Sequence, residues 1–448
     1  MSVATPAAAS TRGQRAPAAT PTVSAVVLTY EPEAAMLRRC LDSLVASSHR
    51  PLELVLVDNG SRGRAAAAAA AGWSPGPTDP DDLAAGELAA RDGVPVRFVP
   101  LAANLGFAEG TNRGIEAATG ELCLLLNPDT EIEPDTISHL VAAARRHREA
   151  IGFAPKILFV HDRQLIDSIG LVFHDNGGAA QRGLGSYDVG QYDREEPVSG
   201  VCFGAALVRR EAFTTDRVGW LDRRYFMFYE DVDWSLRAFQ RGESFWTVPE
   251  ARVYHVHSAS TRHRPDGYKY HLIQRNLLLT VFKNFERQRV RPVLMRRAAF
   301  LLRNAARGQH RSASLRALAG AGVGFCREWG ARREQQQRRR RSDAEIFQYN
   351  LGERTHFDAA VYRPVHTWET LRDMVRRLYV TTAEPRWERA HAYVEVAGGT
   401  AARHDPQLLR SRLEAIAAPL PAGLVRFLDE MGGPPAASVP GTGRRSGG

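Results

Sequence analysis

The first part of the chain alternates short apolar runs with stretches in which apolar residues recur every three or four positions. Residues 24–29 and 52–58 are apolar runs rich in β-branched residues, and residues 36–47 between them have helical periodicity. This spacing predicts a strand, a helix and a second strand. Such units place neighbouring parallel strands in one sheet, with ligands at the carboxyl ends of the strands. The run ends, Thr29 and Asp58, are therefore expected at one edge of a sheet.

Three further elements follow, each recognisable from the same two patterns. They are a strand at 96–99, a helix at 108–119 and a buried strand at 122–126. The last strand, the fourth of the predicted set, leads into the string Asn-Pro-Asp-Thr, which places Asp129 at its end. Residues 64–93 open with an alanine run and continue through Gly, Pro and Asp, which predicts a flexible insertion without a chemical role. The alternation of strands and helices predicts an α/β fold.

Beyond residue 150 the regular alternation weakens, and after Asn276 the sequence becomes helical and basic. Gly-rich turns in the weaker stretch predict a second half built on short strands and loops. Within 292–307 the apolar residues share one helical face and the arginines share the other. The apolar set is Leu294, Ala298, Leu301, Leu302 and Ala305, and the basic set is Arg296, Arg303 and Arg307. Two interpretations stay open: this face packs on the catalytic domain, or it lies on anionic lipid.

These patterns divide the 448 residues into four parts. We expect a disordered tail at 1–22, a catalytic domain at 23–285, a basic helical extension at 286–430 and a disordered tail at 431–448. The first tail lacks the apolar core of a secretory signal peptide. No run of about 18 apolar residues, the length of a membrane span, occurs in the chain. We therefore expect a cytoplasmic protein that attaches peripherally to the inner face of the cell membrane.

Charge and cysteine content narrow the range of partners. The chain has 59 Lys and Arg against 50 Asp and Glu, and this net charge of +9 suits phosphate-bearing ligands or acidic membrane surfaces. The four cysteines lack Cys-x-x-Cys spacing, which argues against a zinc ribbon or a disulfide framework and favours a reducing cytosol. The four-arginine run at 338–341 has no aromatic platform around it, so no nucleic-acid partner is expected.

Acidic residues near strand ends supply the candidate chemistry. Asp58 can accept a hydrogen bond from a base-ring N–H, and Asp129 can bind a hard divalent cation through oxygen. Glu230, Asp231 and Asp233 form a dense carboxylate cluster. Each feature also has a structural interpretation, because Asn-Pro-Asp strings form turns and acidic residues favour helix N-termini.

In order and spacing, these motifs resemble those of the family 2 glycosyltransferases, inverting enzymes with the GT-A fold, and within them the branch that includes bacterial rhamnosyltransferases. The resemblance covers a little over half of the chain. It is carried by residues 26–30, 57–61, 104–114, 126–130, 200–210, 226–233, 255–260 and 275–276. It implies a Rossmann-like GT-A domain followed by the basic, mainly helical extension.

The resemblance also implies which residues bind the sugar donor. Thr29 and Asp58 match positions that hold the nucleotide base. Asn104 and Asn112 would line the same pocket, with a structural role in the Gly-containing loop and helix as the alternative. Asn127 stands where the family's Asp-x-Asp motif has its first Asp, a replacement that is usual in this branch and removes one charge.

The remaining roles concern a divalent cation and the proton transfer. Asp129 matches the metal-binding last Asp of the motif, and His255 matches a histidine that completes the site in several relatives, with His257 as its near neighbour in sequence. The cofactor implied is Mn²⁺ or Mg²⁺. Asp231 matches the general base, with Glu230 beside it as the second catalytic carboxylate.

The function implied is transfer of a sugar, with rhamnose as the first candidate, from a nucleotide-diphosphate donor to a cell-envelope glycan or a lipid-linked saccharide. One alternative is a nucleotidyltransferase, which shares strand-end carboxylates and a metal. A nucleotidyltransferase requires a Gly-rich, basic loop for phosphate directly after the first strand. Residues 26–33 contain no such loop. Another alternative is a protein that binds nucleotide sugars or glycans without turnover.

Overall fold

The structure is a computed structural model, and it describes residues 20–63, 86–160, 163, 165–184, 188, 192–256 and 266–349. The first half alternates strands and helices, as the sequence predicts. Its elements are β1 (Val23–Thr29), α1 (Ala34–Val45), β2 (Leu52–Asp58), β3 (Gly86–Arg91), β4 (Val94–Pro100), α2 (Gly106–Ala117) and β5 (Leu122–Leu126). β1 lies between β2 and β5 and is parallel to both, and β4 extends the parallel set beyond β2.

The second half adds shorter strands to the same sheet. Its elements are β6 (Thr130–Ile132), α3 (Thr136–Arg146), β7 (Gly152–Phe159), β8 (Ile166–Ser168), β9 (Leu171–Phe173), β10 (Ala179–Gln181), β11 (Pro197–Val198), β12 (Ala205–Arg209), α4 (Glu230–Gln240) and β13 (Phe245–His255). The sheet order is β11-β13-β7-β12-β5-β1-β2-β4-β3, with β6 on β13 and β8 on β7. The predicted short strands are present, but most of them extend the main sheet, and within the described ranges β9 and β10 are the strands that pair apart from it.

The helical extension follows as α5 (Asp266–Asn284), α6 (Arg287–Ala306), α7 (Arg311–Arg338) and α8 (Asp343–Tyr349). α7 packs along α5 and also contacts α6. An α/β domain with a helical extension is therefore confirmed. Of the predicted parts, residues 1–19 and 350–448 lie outside the described residues. No helix in the described part of the chain combines the length and the apolar character needed to cross a bilayer.

Both faces of the central strands are buried, which explains why their sequences read as continuous apolar runs. Along β1, Val23, Ala25 and Val27 belong to one hydrophobic core, whereas Val26 and Leu28 belong to the other. The first core is covered by α1 and α3, and the second by α2, α4 and α5. The loops at the carboxyl ends of the strands are thereby held by helices on both sides of the sheet.

The predicted flexible insertion at 64–93 is wrong for its last part. Residues 64–85 lie outside the described residues, but Gly86–Arg91 forms β3, which pairs antiparallel with β4. Asp92 and Gly93 connect the two strands with φ of +47° and +78°. Two consecutive positive φ values make a type I′ turn, and Asp-Gly is a preferred sequence for it. That dipeptide was the hairpin signal that the composition of the segment obscured.

The predicted apolar face of α6 is used in packing. Leu301 and Ala305 are buried, and Leu294 and Ala298 are half-buried. Leu294 and Leu301 contact the cores formed with α5 and α7. Only Leu302 of the predicted set is exposed, at 53%. Packing within the extension is thus the interpretation that holds for most of this face. Attachment of the protein to lipid stays a prediction, and Leu302 is the residue of this face that is left exposed for it.

Candidate active site

Thr29 and Asp58 lie side by side at the carboxyl ends of β1 and β2, because the two parallel strands pair in register with Thr29 opposite Asp58. Both side chains are almost completely buried. Asp58 Oδ1 accepts a hydrogen bond from the backbone N–H of Ser61 at 3.1 Å. Asp58 Oδ2 and Thr29 Oγ1 find no hydrogen-bond partner in the described part of the chain, and buried polar atoms without one are rare. Two adjacent unsatisfied oxygens are what a site for a polar ligand provides.

A pair of asparagines shapes the next loop at this edge. The side chain of Asn59 donates to Asn104 Oδ1 at 3.2 Å and to the carbonyl of Gly106 at 3.1 Å, and its Oδ1 accepts from the N–H of Leu105 at 2.9 Å. Asn104 Oδ1 also accepts from the N–H of Gly106 at 2.9 Å. Asn59 directly follows Asp58, and its hydrogen bond therefore holds Asn104 close to Asp58. The sequence patterns assign no role to Asn59.

Asn112 is fully engaged elsewhere. Its amide nitrogen donates to the carbonyl of Leu221 at 2.9 Å, and its oxygen accepts from the N–H of Leu221 at 3.0 Å. These reciprocal bonds tie α2 to the loop that leads toward α4. For Asn112 the contacts favour the structural alternative over a position in the nucleotide pocket.

Asp129 and His255 meet through strand pairing. β6 pairs antiparallel with the end of β13, with Thr130 opposite His255, so the residue before β6 faces the histidine. Asp129 Oδ1 lies 3.2 Å from His255 Nε2, and the side-chain nitrogen of Asn127 lies 3.4 Å from the same atom. Both Asp129 and His255 are buried. His257 lies outside the described residues.

Asp167 in β8 supports His255 from the other side. Its Oδ2 lies 2.6 Å from His255 Nδ1, and Asp167 is fully buried. Burial alone would lower the pKa of His255, but Asp129 and Asp167 raise it to about 10. At that pKa both ring nitrogens carry a proton at neutral pH, and Nε2 faces Asp129. In the neutral ring, a carboxylate that accepts from Nδ1–H leaves the lone pair on Nε2, which is the arrangement of metal-binding histidines. Neither composition nor spacing singled out Asp167.

Glu230 and Asp231 begin α4. Asp231 Oδ1 accepts from the N–H of Val232 at 2.8 Å, and its Oδ2 accepts from the N–H of Phe203 at 3.4 Å. Burial raises the pKa of Asp231 despite these bonds. Burial, followed by the charge of Asp231, raises the pKa of Glu230 well above its ordinary value. No described residue forms a hydrogen bond with Glu230 Oε2.

The segment 202–204 connects Asp231 with the Asp129–His255 pair. Phe203 donates to Asp231, and the next carbonyl, of Gly204, accepts from the N–H of Asn127 at 3.0 Å. A Cβ atom on Gly204 would lie 3.8 Å from the His255 ring. Antiparallel pairing of β12 with β5 brings Gly204 to this edge, because Ala205 is opposite Leu126. The carboxylate of Asp231 and the Asp129–His255 pair thus flank one short segment.

The loop before α4 has an unusual backbone that α5 holds in place. Positive φ values occur at three residues that are not glycine, namely Phe226, Phe228 and Tyr229. For a residue with a side chain, this conformation costs of order 1–3 kcal/mol. Asn276 donates to three carbonyls of this loop, those of Tyr225, Met227 and Phe228, at 2.7–3.0 Å. Arg275 in turn donates to Asn276 Oδ1 at 2.9 Å. α5 therefore holds the loop that leads into α4, and with it the position of Asp231 in the first turn of that helix.

The residues at this edge can be tested for their fit to a divalent cation. Among the described residues no group of three or more His, Cys, Asp and Glu side chains is arranged to hold a metal ion. Asp129 and His255 offer two ligands, and a carboxylate behind the histidine sets its tautomer. Mg²⁺ and related cations are commonly bound by one or two protein groups with phosphate oxygens and water completing the shell. The donor set fits a cation that a bound diphosphate helps to hold.

Comparison with known proteins gives a consistent result. A sequence model described as Glycosyl transferase family 2 matches residues 24–215. The chain is 31% identical over 268 residues to N-acetylglucosaminyl-diphospho-decaprenol L-rhamnosyltransferase of Mycobacterium tuberculosis, covering 54% of this chain and 78% of that protein. It is 32% identical over 132 residues to undecaprenyl-phosphate 4-deoxy-4-formamido-L-arabinose transferase of Pseudomonas paraeruginosa, covering 29% and 34%. The crystal structure of GalNAc-T7 with UDP, GalNAc and Mn²⁺ is 17% identical, with a TM-score of 0.46, covering 60% of this chain and 48% of that one.

Proposed function

This chain belongs to glycosyl transferase family 2 and is a glycosyltransferase, and we propose that it moves rhamnose from a nucleoside-diphosphate donor to a lipid-linked saccharide of the cell envelope, with inversion. The observation that carries the proposal is the approach of Asp231 and the Asp129–His255 pair to the two sides of segment 202–204. The relative from Mycobacterium tuberculosis supports the choice of sugar and acceptor, since its name specifies a rhamnosyl group and a diphospho-decaprenol saccharide.

In this proposal the nucleotide base lies over the ends of β1 and β2. Thr29 Oγ1 and Asp58 Oδ2 have no hydrogen-bond partner among the residues that the structure describes, and a base-ring N–H is a suitable donor to a carboxylate oxygen. Asn104 lines the same pocket, held by Asn59. The diphosphate then extends toward Asn127, Asp129 and His255, which are the next polar residues along the edge of the sheet.

Asp231 takes the proton from the acceptor hydroxyl. The oxygen of that hydroxyl attacks the anomeric carbon of the donor sugar, and the nucleoside diphosphate departs from the opposite face of this carbon. The raised pKa of Asp231 makes its carboxylate a stronger base than an exposed one. Asp129 and His255 would hold a divalent cation, which supplies positive charge for the departing diphosphate. Asn276 maintains the loop that presents Asp231.

The proposal is tested first by donor binding. Purified protein is screened with nucleotide sugars, with and without Mn²⁺ or Mg²⁺, by thermal shift, since a bound donor raises the melting temperature by mass action. We expect stabilisation that needs the cation and that Asp129→Ala abolishes. His255→Ala should weaken it, with His257→Ala doing less. Glu131→Ala is a matched control, because this nearby carboxylate pairs with Arg39 at the surface.

Turnover then separates an enzyme of this specificity from a binding protein. The best stabilising donor is incubated with a diphosphate-linked N-acetylglucosaminyl lipid, and the product is detected by mass. An added deoxyhexose in the product, lost in the presence of EDTA, is the expected result. Full activity in EDTA would remove the cation from the mechanism, and transfer of a different sugar would remove rhamnose while leaving the site assignment in place.

A further inference from the structure

The exposed large apolar side chains of this protein are concentrated in one place. Eight such side chains occur among the described residues, and six of them belong to α6 and α7, the two helices of one hairpin. They are Met295, Phe300, Leu302, Leu315, Val323 and Trp329. Trp329 is 65% exposed, which is the largest value of the set. Concentration of apolar surface, unlike scattered single residues, marks an interaction site.

Most of these residues fall on helical stripes rather than at random positions. On α6 the exposed residues Met295, Ala299, Leu302 and Ala306 are separated by four, three and four positions. On α7 the same spacing links Leu315, Ala319, Val323, Cys326 and Gly330, all exposed. Residues at this spacing share one side of a helix. Each helix therefore buries one face in the extension and presents a second apolar stripe to solvent.

The charges around the stripes have a single sign. Residues 287–333 contain twelve arginines and one acidic residue, a net charge of +11 that exceeds the +9 of the whole chain. The acidic residue, Glu328, is buried and faces Arg224 and Lys283 inside the protein. Nine of the arginines are exposed. Between Arg316 and Arg327 no charged residue occurs, so the apolar stripe of α7 is flanked by arginines and free of them along its length.

We propose that the hairpin of α6 and α7 docks on an anionic membrane surface. The apolar stripes enter the boundary between headgroups and acyl chains, the flanking arginines contact lipid phosphates, and Trp329 lies at the interface that tryptophan prefers. The docking face is not the one that the pattern at 292–307 predicts. It adjoins that face on α6, shares Leu302 with it and is extended by α7, and the packing of the extension leaves it exposed.

Charge complementarity favours lipid over the other possible occupants. A second copy of this chain would bring another strongly basic hairpin against the first. Residues 350–448 contain thirteen arginines and eleven acidic residues, so the net charge of this segment is also positive. An anionic bilayer supplies both an apolar layer for the stripes and negative charge for the arginines.

The test is flotation of the full-length protein with vesicles of phosphatidylglycerol and phosphatidylcholine, compared with phosphatidylcholine alone, at low and high salt. We expect binding to the anionic vesicles only, weakened by salt. Leu315→Gln, Val323→Gln and Trp329→Gln together, or Arg303→Glu with Arg327→Glu, should each weaken binding by at least about tenfold. Trp329→Phe should retain binding but lose the blue shift of tryptophan emission that insertion produces.

Matched controls keep the result specific. Trp220→Gln removes an exposed tryptophan outside the hairpin, and Arg145→Glu with Arg148→Glu reverses two exposed arginines in and just after α3. These variants should bind vesicles like the wild type. Absence of wild-type binding at low salt, or equal binding by the hairpin variants, would overturn the proposal. A vesicle-free dimer that the triple variant converts to monomer, without lipid binding, would overturn it in favour of a second copy.

Discussion

Two carboxylate pairs border the first turn of α4, and they differ in almost every physical respect. Asp231 lies beside the strand ends, where it accepts from the N–H of Phe203, and among the described residues no cationic side chain forms an ion pair with it or with Glu230. Asp222 and Asp233 face the helical extension, where Lys283 lies 2.7 Å and 3.0 Å from their oxygens. The pKa values of the first pair are raised, and those of the second pair are lowered.

The difference comes from partners, because burial is similar on both sides. Burial alone would raise the pKa of Asp233, but Lys283 and Arg237 lower it. Asp231 has only backbone and thiol donors, which do not offset the loss of water around its carboxylate. A carboxylate that remains a strong base can serve proton transfer, whereas a carboxylate neutralised by two cations serves to attach the extension. The cluster Glu230-Asp231-Val-Asp233 therefore has two functions, and Asp231 and Asp233 serve them from opposite sides of the first turn of α4.

The largest expected effect follows replacement of the site-facing carboxylate. Asp231→Asn retains the shape of the side chain but cannot accept the acceptor proton, so transfer should fall on the order of 10²–10⁴-fold. Donor binding should be unchanged, because Asp231 lies apart from Thr29 and Asp58. Steady-state rates and a donor titration measure the two quantities. Near wild-type transfer would remove Asp231 from the base role and make Glu230 the next candidate.

Replacement of the extension-facing carboxylate should act on stability instead. Asp233→Asn leaves Lys283 and Arg237 without one of their buried counter-charges, and loss of one partner of such a pair costs about 3–5 kcal/mol. Denaturant unfolding measures the loss. The folded fraction should retain transfer far better than Asp231→Asn does. Normal stability combined with lost transfer would show that the two carboxylates are not separated as we describe.

The link between the two regions can be weakened at Asn276. Asn276→Ala removes three hydrogen bonds to the loop before α4, so the strained backbone should relax and displace Asp231. We expect kcat to fall on the order of ten- to a hundredfold, as a loss of about 1–3 kcal/mol gives, with a smaller change in the KM for donor. Gln274→Ala is the control, since this residue of the same helix bonds Arg297 instead of the loop. A parallel fall in both variants would indicate a general effect on α5.

The smallest expected effect concerns pH and Glu230. Because burial raises the folded-state pKa of Glu230, the folded protein binds this proton more tightly than the unfolded chain. Its contribution to stability is therefore full below the ordinary glutamate pKa and is lost as the pH rises toward the folded value. The glutamine in Glu230→Gln cannot ionise. Near neutral pH, the free energy of unfolding of this variant should therefore exceed that of the wild type by about 1–2 kcal/mol. Thermal unfolding across pH checks this, and identical pH slopes for the two proteins would contradict it.

Much of the fold could be predicted because its signals are local. The parallel strands at 52–58 and 122–126 have the predicted bounds, and the helices differ from prediction by two residues at each end. The neighbourhood of Thr29 and Asp58 follows from the rule that parallel strand ends meet at one edge. The Asp-Gly turn before β4 was equally local, and the wrong prediction there came from giving the composition of the whole segment more weight than one dipeptide.

The rest depended on contacts between distant parts of the chain. Asp167 lies 88 residues from His255 in sequence, and Asn276 lies 49 residues from the carbonyl of Met227 that it holds. Periodicity along α6 showed that the helix has an apolar face but not that α5 and α7 would cover it. The opposite pKa shifts of Asp231 and Asp233 depend on Lys283, which α5 brings to one carboxylate and not the other. A residue's own sequence sets its chemical type and local conformation, whereas its charge partners and its access to water are set by the packing of other elements around it.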